Sequence, residues 1–260
     1  MIFQILDANY TYDSSREPLV QLFGSTPEGG SVVCRVAGFR PYFYAGLRES
    51  AVKDASERIR EMGLDVEVVE RFEPIGFQES RKRMLKITTR DPKEVRTLRE
   101  RIKEIPGVLA VYETDILFKN RFLIDTGLGG MSWVDAPVPD WISTASEGDA
   151  PIIRAESLRP VPHEANAPLR FMSLDIECLP DHGEMPRAEV SPIILISMAF
   201  EPEYHGRTDL VLVGKRIDCQ RDDVLSCQDE RDLLSRFVSI LRDYNPDIVA
   251  GYNSNEFDFP

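Results

Sequence analysis

Leu169-Arg170-Phe171-Met172-Ser173-Leu174-Asp175-Ile176-Glu177-Cys178 is an apolar run that ends on two carboxylates. Its first eight residues, 169–176, read as a strand. The period of two along a strand then puts Asp175 and Glu177 on one face of the sheet. Two carboxylates so close repel each other unless a cation lies between them, and an all-oxygen pair suits Mg²⁺ or Mn²⁺. A second stretch, Gly251-Tyr252-Asn253-Ser254-Asn255-Glu256-Phe257-Asp258, follows a short apolar strand. If that strand lies beside the first, Asp258 approaches the same cations. Two metals about 3.5–4 Å apart would clamp a scissile phosphate, one activating water and the other stabilising the leaving oxygen. Taken alone, Asp-x-Glu is more often a surface or capping pair, and an Asn-rich turn is usually turn chemistry. The combination of the two stretches is what carries specificity.

Working outward, 193–200 and 210–213 read as further strands. Residues 229–244 form the strongest helical pattern, with Leu233, Leu234, Phe237, Val238, Ile240 and Leu241 as its apolar stripe and acidic residues at its start. Pro246 ends it, and 247–252 is a returning strand. This order predicts the opening of a ribonuclease-H-like α/β domain. The chain stops just after the second motif, so the expectation is a cut made in a longer protein.

The first 130 residues read as strands and helices in alternation. Strands are expected at 1–10, 19–24, 31–36, 65–72, 84–89 and 108–112, and helices at 49–62 and from Pro92 to about 102. From the third strand onward the order is β-α-β-β-α-β, a split-βαβ two-layer sandwich. The fold class is therefore α/β (α+β). The expected division is an N-terminal domain at 1–134, a Pro/Ser/Ala/Glu-rich connector at 135–168 and a partial domain at 169–260.

Composition excludes several classes and decides little else. The 260 residues are 42% hydrophobic and 29% charged, ordinary for a globular protein. The start has no basic region and no apolar run of signal-peptide length, and nothing is long enough to span a bilayer. Cys34, Cys178, Cys219 and Cys227 are scattered without a C-x-x-C pair, which fits reduced thiols and a cytoplasmic location. The net charge of −13 argues against a uniformly basic nucleic-acid binder. Locally, 81–103 holds ten Lys or Arg against three Asp or Glu, so the acidic excess lies elsewhere in the chain.

Leu174-Asp175-Ile176-Glu177 resembles the first exonuclease motif of the archaeal-type family B DNA polymerases, and 252–260 resembles the second. The resemblance implies that Asp175, Glu177 and Asp258 are catalytic metal ligands for Mg²⁺ or Mn²⁺. It implies that Asn253 and Phe257 hold a primer 3′ end, and that a third motif and the polymerase domains lie beyond residue 260. DNA would be the partner, with a sliding clamp for the full-length enzyme. The piece itself would be a monomer with weak or no hydrolysis.

The resemblance extends to Phe39-Arg40-Pro41-Tyr42-Phe43-Tyr44, to Asp91–Arg99 and to Asp115–Asp125. It implies a pocket for template uracil lined by Tyr10, Pro41, Tyr42, Pro92, Val95, Ile116 and Phe118. Arg99 and Arg121 would support its wall or the DNA backbone. Apolar walls and a snug shape that excludes thymine's methyl group are what such capture needs. Arg96 stands where the archaeal members carry proline, and the connector is longer than in compact members. Three other readings stay open: a stand-alone exonuclease, a DNA-binding module with a structural nuclease half, and a metal-free α/β interaction protein.

Overall fold

The computed structural model describes every residue except 75, 138–144, 148–149, 181–185, 253, 255–257 and 259–260. The chain divides into two compact units, Met1–Ala167 and Pro168–Pro260.

The first unit holds two sheets. Strands β1 (Ile2–Tyr12), β2 (Pro18–Ser25) and β3 (Ser31–Val36) form an antiparallel meander. Next come β4 (Tyr42–Leu47), helix α1 (Val52–Glu61), β5 (Asp65–Arg71), β6 (Lys82–Thr88), α2 (Val95–Lys103) and β7 (Val108–Tyr112). Helix α3 (Phe118–Thr126) then leads back to β8 (Trp133–Asp135), β9 (Ala145–Glu147), β10 (Ala150–Ala155) and β11 (Arg159–Pro160). The larger sheet has the order β11-β8-β1-β2-β3-β10-β9, and the smaller β5-β6-β4-β7.

The smaller sheet is the split β-α-β-β-α-β unit, with one change from expectation. Its first strand is Tyr42–Leu47, while Ser31–Val36 belongs to the larger sheet. Tyr-Phe-Tyr-Ala-Gly-Leu is buried along most of its length, so no polar alternation marks it as a strand in the sequence. Phe43, Ala45, Leu85 and Ile87 face Ala55, Ile59, Leu98 and Ile102 of the two helices, and this is the core of the layer. Both helices are amphipathic, and their polar faces carry the charges read in the sequence.

The described strands of the expected connector belong to the larger sheet. Gln4 on β1 donates to Asn166 Oδ1 at 2.8 Å and accepts from the Ala167 amide at 2.8 Å, and Trp133 Nε1 donates to Ala165 O at 2.9 Å. These strands are two to six residues long and interrupted by Pro, too short for their pattern to show. Helix α3 was also not anticipated. Its apolar residues do not keep to one face, and only the left-handed Gly127 (φ 67°) at its end is a stop signal.

The second unit is one sheet with a covering helix. Strands β12 (Phe171–Cys178), β13 (Ile193–Tyr204), β14 (Arg207–Val213) and β15 (Val224–Ser226) precede α4 (Glu230–Tyr244) and β16 (Ile248–Ala250). The order is β15-β14-β13-β12-β16, with β16 parallel to β12. Asp229 caps α4 by accepting from the Asp232 amide at 2.9 Å, worth about 1 kcal/mol. Met172, Leu174, Ile176, Met198, Leu212, Leu233 and Ile240 form the core under the helix. Among the described residues, no helix is long and apolar enough to cross a membrane.

Candidate functional site

In the first unit, four segments far apart in sequence converge on one cavity of about 170 Å³. The end of β1 supplies Tyr10, the start of β4 supplies Pro41 and Tyr42, and the entry to α2 supplies Pro92 and Val95. The segment between β7 and α3 supplies Ile116 and Phe118. All seven residues named from the sequence therefore line one space. Tyr10 and Phe118 meet edge to face at 5.5 Å, and Phe39 backs Phe118 at 5.4 Å, so the apolar wall is braced from behind. Tyr12 donates to Asp91 Oδ1 at 2.7 Å, and the same carboxylate oxygen accepts from the Lys93 amide at 2.9 Å. That link fixes Pro92 against β1.

Arg121 and Arg99 part company here. Arg121 lines the cavity, its side chain is 8% exposed, and it pairs with Glu113 at 2.6 Å. Burial works against its charge, but the Glu113 carboxylate outweighs this and holds the guanidinium above its ordinary value. Arg99 is absent from the lining and pairs along the helix surface with Glu100 at 2.6 Å. Tyr42 donates to Asp125 Oδ2 at 2.6 Å, and burial followed by this bond pushes its phenol well above the usual range.

Five further residues line the cavity: Arg96, Asp115 and Leu117 from segments the resemblance had marked, and Glu113 and Thr114, which carried no signal in the sequence. Glu113 is the telling one. Its φ of 62° is left-handed, strained for a residue with a side chain, and it turns the chain out of β7 into the cavity wall. A glycine would have advertised that turn, whereas a glutamate does not.

The basic stretch 81–103 is not a uniform phosphate surface. Lys82 pairs with Glu73, Arg83 with Glu49, and Arg99 and Lys103 with Glu100. Arg81 lies 5.5 Å from the Phe72 ring centroid.

In the second unit, Asp175 and Glu177 both lie on the exposed face of β12, while Met172, Leu174 and Ile176 alternate into the core. Parallel strand β16 is tied to β12 at Asp247. Its carboxylate accepts from the Arg170 amide at 2.8 Å and from Nε and an Nη of the same arginine, each at 3.2 Å. Beyond β16 the chain passes so close to β12 that a Cβ on Gly251 would lie 2.8 Å from Leu174 O. Glycine is required there. Further along β12, Asp258 engages the strand: its Oδ1 accepts from the Ile176 amide at 3.2 Å, between the two motif carboxylates. Its Oδ2 is buried and has no hydrogen-bond partner among the described residues. Burial, then the carboxylates of Glu230, Glu177 and Asp258, push the Cys178 thiol up. Asn253 and Phe257 lie outside the described residues.

The donor set fits a hard divalent cation in chemical type. It is all carboxylate, and the orphaned Oδ2 of Asp258 is an atom that a cation would satisfy. The arrangement is two carboxylates on a strand face plus one held at the strand edge. Among the described residues, no three His, Cys, Asp or Glu side chains are gathered as a metal site.

Residues 109–260 match the family model described as DNA polymerase family B, exonuclease domain. The chain is 29% identical to the DNA polymerase delta catalytic subunit of Arabidopsis thaliana, over 95% of this chain and 26% of that protein. It is 30% identical to a DNA polymerase of Pyrococcus horikoshii, over 98% of this chain and 18% of that protein. The solved family B DNA polymerase of the archaeon Pyrobaculum calidifontis superposes with a TM-score of 0.80 at 30% identity, covering 100% of this chain and 31% of that one. The chain thus spans less than a third of the length of these relatives. Eukaryotic and archaeal members match at nearly the same identity, so the comparison does not single out the archaeal branch. The family match covers more than half of the residues, and the chain belongs to the family B DNA polymerases, carrying the family's exonuclease domain.

Proposed function

We infer that the first unit captures a nucleobase turned out of single-stranded template DNA, and that uracil is the base it selects. The observation that supports this is the convergence of Tyr10, Pro41, Tyr42, Pro92, Val95, Ile116 and Phe118 on one cavity. These seven residues give aromatic and aliphatic walls, with Arg96, Glu113, Thr114, Asp115 and Arg121 also in the lining, and none of the lining residues is Asn or Gln. Recognition then falls to backbone amides and carbonyls of the wall segments, which read a pyrimidine's polar edge while shape excludes the methyl group of thymine. Arg121, which lines the cavity, supports its wall, and Arg99, which lies outside the lining, faces the DNA backbone.

The second unit carries the 3′→5′ proofreading function of a replicative DNA polymerase. Asp175, Glu177 and Asp258 would hold Mg²⁺ or Mn²⁺, which when bound activates water and stabilises the leaving oxygen. The side chains' own contribution is to present carboxylate oxygens on one strand face and, through Asp258, to brace the edge of that strand. Polymerisation and contact with a sliding clamp belong to the full-length protein on this reading.

The test is binding of the chain to labelled single-stranded DNA with one uracil, against the same strand with thymine, at fixed salt. The expected preference for uracil is about tenfold or more, the discrimination that one methyl group supports in a shaped site. Equal affinity for the two strands would remove base capture from this cavity.

A further inference from the structure

The face of the smaller sheet opposite α1 and α2 carries aromatic rings that base capture in the first cavity does not use. Tyr44 on β4 and Tyr112 on β7 are paired neighbours on that face, opposite the side on which Ala45 and Val111 join the helices. Tyr44 meets Tyr42 edge to face at 5.6 Å. The Tyr112 ring lies over Gly46, where an added Cβ would come within 3.1 Å of its Cε2. The bare backbone of Gly46 lets that ring lie close against the sheet. Together with Phe72 and Met84, and with Arg71 and Arg121 at the sides, these rings enclose a second cavity of about 190 Å³.

This space is lined by aromatic rings together with the charged groups of Arg71, Glu113, Arg121 and Asp125. Its carboxylates are already engaged, Glu113 with Arg121 and Asp125 with the Tyr42 hydroxyl. The Tyr112 hydroxyl donates to Glu73 at 3.1 Å. Phe72 at the rim is 52% exposed, so its ring is open to a ligand. Cations stand beside these rings, with Lys86 Nζ 4.2 Å from the Tyr42 centroid and Arg81 over Phe72. Ring faces bordered by cations are the features with which proteins hold successive bases of a single strand.

The two cavities share Tyr42, Glu113 and Arg121 as lining residues, so the partition between them is a single tyrosine with its supporting ion pair. We propose that the second cavity receives the base next to the one held in the first, with Tyr42 as the wedge between two neighbouring nucleotides. The proposal rests on the base-capture reading of the first cavity. It adds that recognition spans a dinucleotide and that the second base is held by stacking, without regard to its identity.

The experiment uses the chain of 260 residues. Labelled single strands carry one uracil or one thymine at a fixed position, and each is also made with an abasic site 5′ or 3′ of it. The expected result is a uracil preference in the parent and a loss of about tenfold in affinity when one particular neighbour is abasic. Phe72→Ala should cancel that neighbour's contribution while keeping the uracil preference, and Tyr112→Leu should do the same from the sheet side. A uracil preference with no effect of either abasic neighbour overturns the dinucleotide site and leaves the first cavity standing. So does a neighbour effect that persists undiminished in both variants, since the base is then stacked elsewhere. No uracil preference in the parent removes the first cavity's role, and the inference falls with it.

Discussion

The guanidinium of Arg121 lies 4.7 Å from the centroid of the Tyr42 ring, while the same group pairs with Glu113 at 2.6 Å. A buried arginine thus joins the strand that begins at Tyr42 to the left-handed turn that leaves β7. Arg121→Leu leaves Glu113 without its partner beside a half-buried ring. The expected cost in urea unfolding is about 2–3 kcal/mol, with loss of uracil preference. Arg121→Lys keeps the charge but not the flat stacking surface, and should recover less than half of that stability. Full recovery by lysine would show that charge alone holds the wall.

Val95 stands at the start of α2 with its side chain in the first cavity. Val95→Gln adds volume and a polar amide there, at a helix position that tolerates both residues. Stability should change by about 1 kcal/mol or less. The ratio of uracil to thymine affinity should fall toward one, as read by titration with labelled strands. An unchanged ratio would place base selection elsewhere.

Asp175 and Glu177 share the exposed face of β12, so replacing both with alanine disturbs no core contact. Thermal unfolding of the parent should shift upward with Mn²⁺, by an amount equivalent to about 2.7 kcal/mol at a hundredfold excess over Kd. The double variant should show no shift. In the full-length enzyme the same pair of changes should abolish removal of a mismatched primer terminus and leave synthesis in place. Digestion that survives the double change would refute the assignment.

The Asp247 side chain is 2% exposed and accepts three hydrogen bonds from Arg170, one from its amide and two from its guanidinium. These bonds register β16 on β12 and so set the approach of Asp258. Asp247→Ala should destabilise the second unit by about 2–4 kcal/mol, because it strands the guanidinium and the amide together. Hydrogen exchange should show β16 and the Ile176 amide losing protection first. Uniform loss across both units would contradict the local role.

Burial pushes the Cys34 thiol up to about 12 from an ordinary value of 9.0. A raised value in the fold means that Cys34 contributes stability fully below about pH 9 and loses it as pH climbs toward 12. Cys34→Ala should flatten the alkaline limb of the stability profile of the first unit. At neutral pH, Cys219 is exposed and should react with a thiol reagent at once, while Cys34 waits for unfolding.

How much was legible beforehand differs between the two units. The period-two placement of Asp175 and Glu177, the helix begun by Asp229 and the strand returning after Pro246 follow from residues close together in the chain. Strand and helix periodicities act over a few residues, so those features were determined by the sequence itself. The split β-α-β-β-α-β order was legible too, though its first strand was misplaced because Tyr42–Leu47 is buried too completely to alternate. The tertiary structure alone decided that Arg121, and not Arg99, stands in the cavity wall, that Glu113 adopts a left-handed turn, and that Asp258 spends one oxygen on the Ile176 amide. Each of these depends on groups brought together from distant segments, and nothing in the local pattern encodes a contact whose two halves lie on different strands.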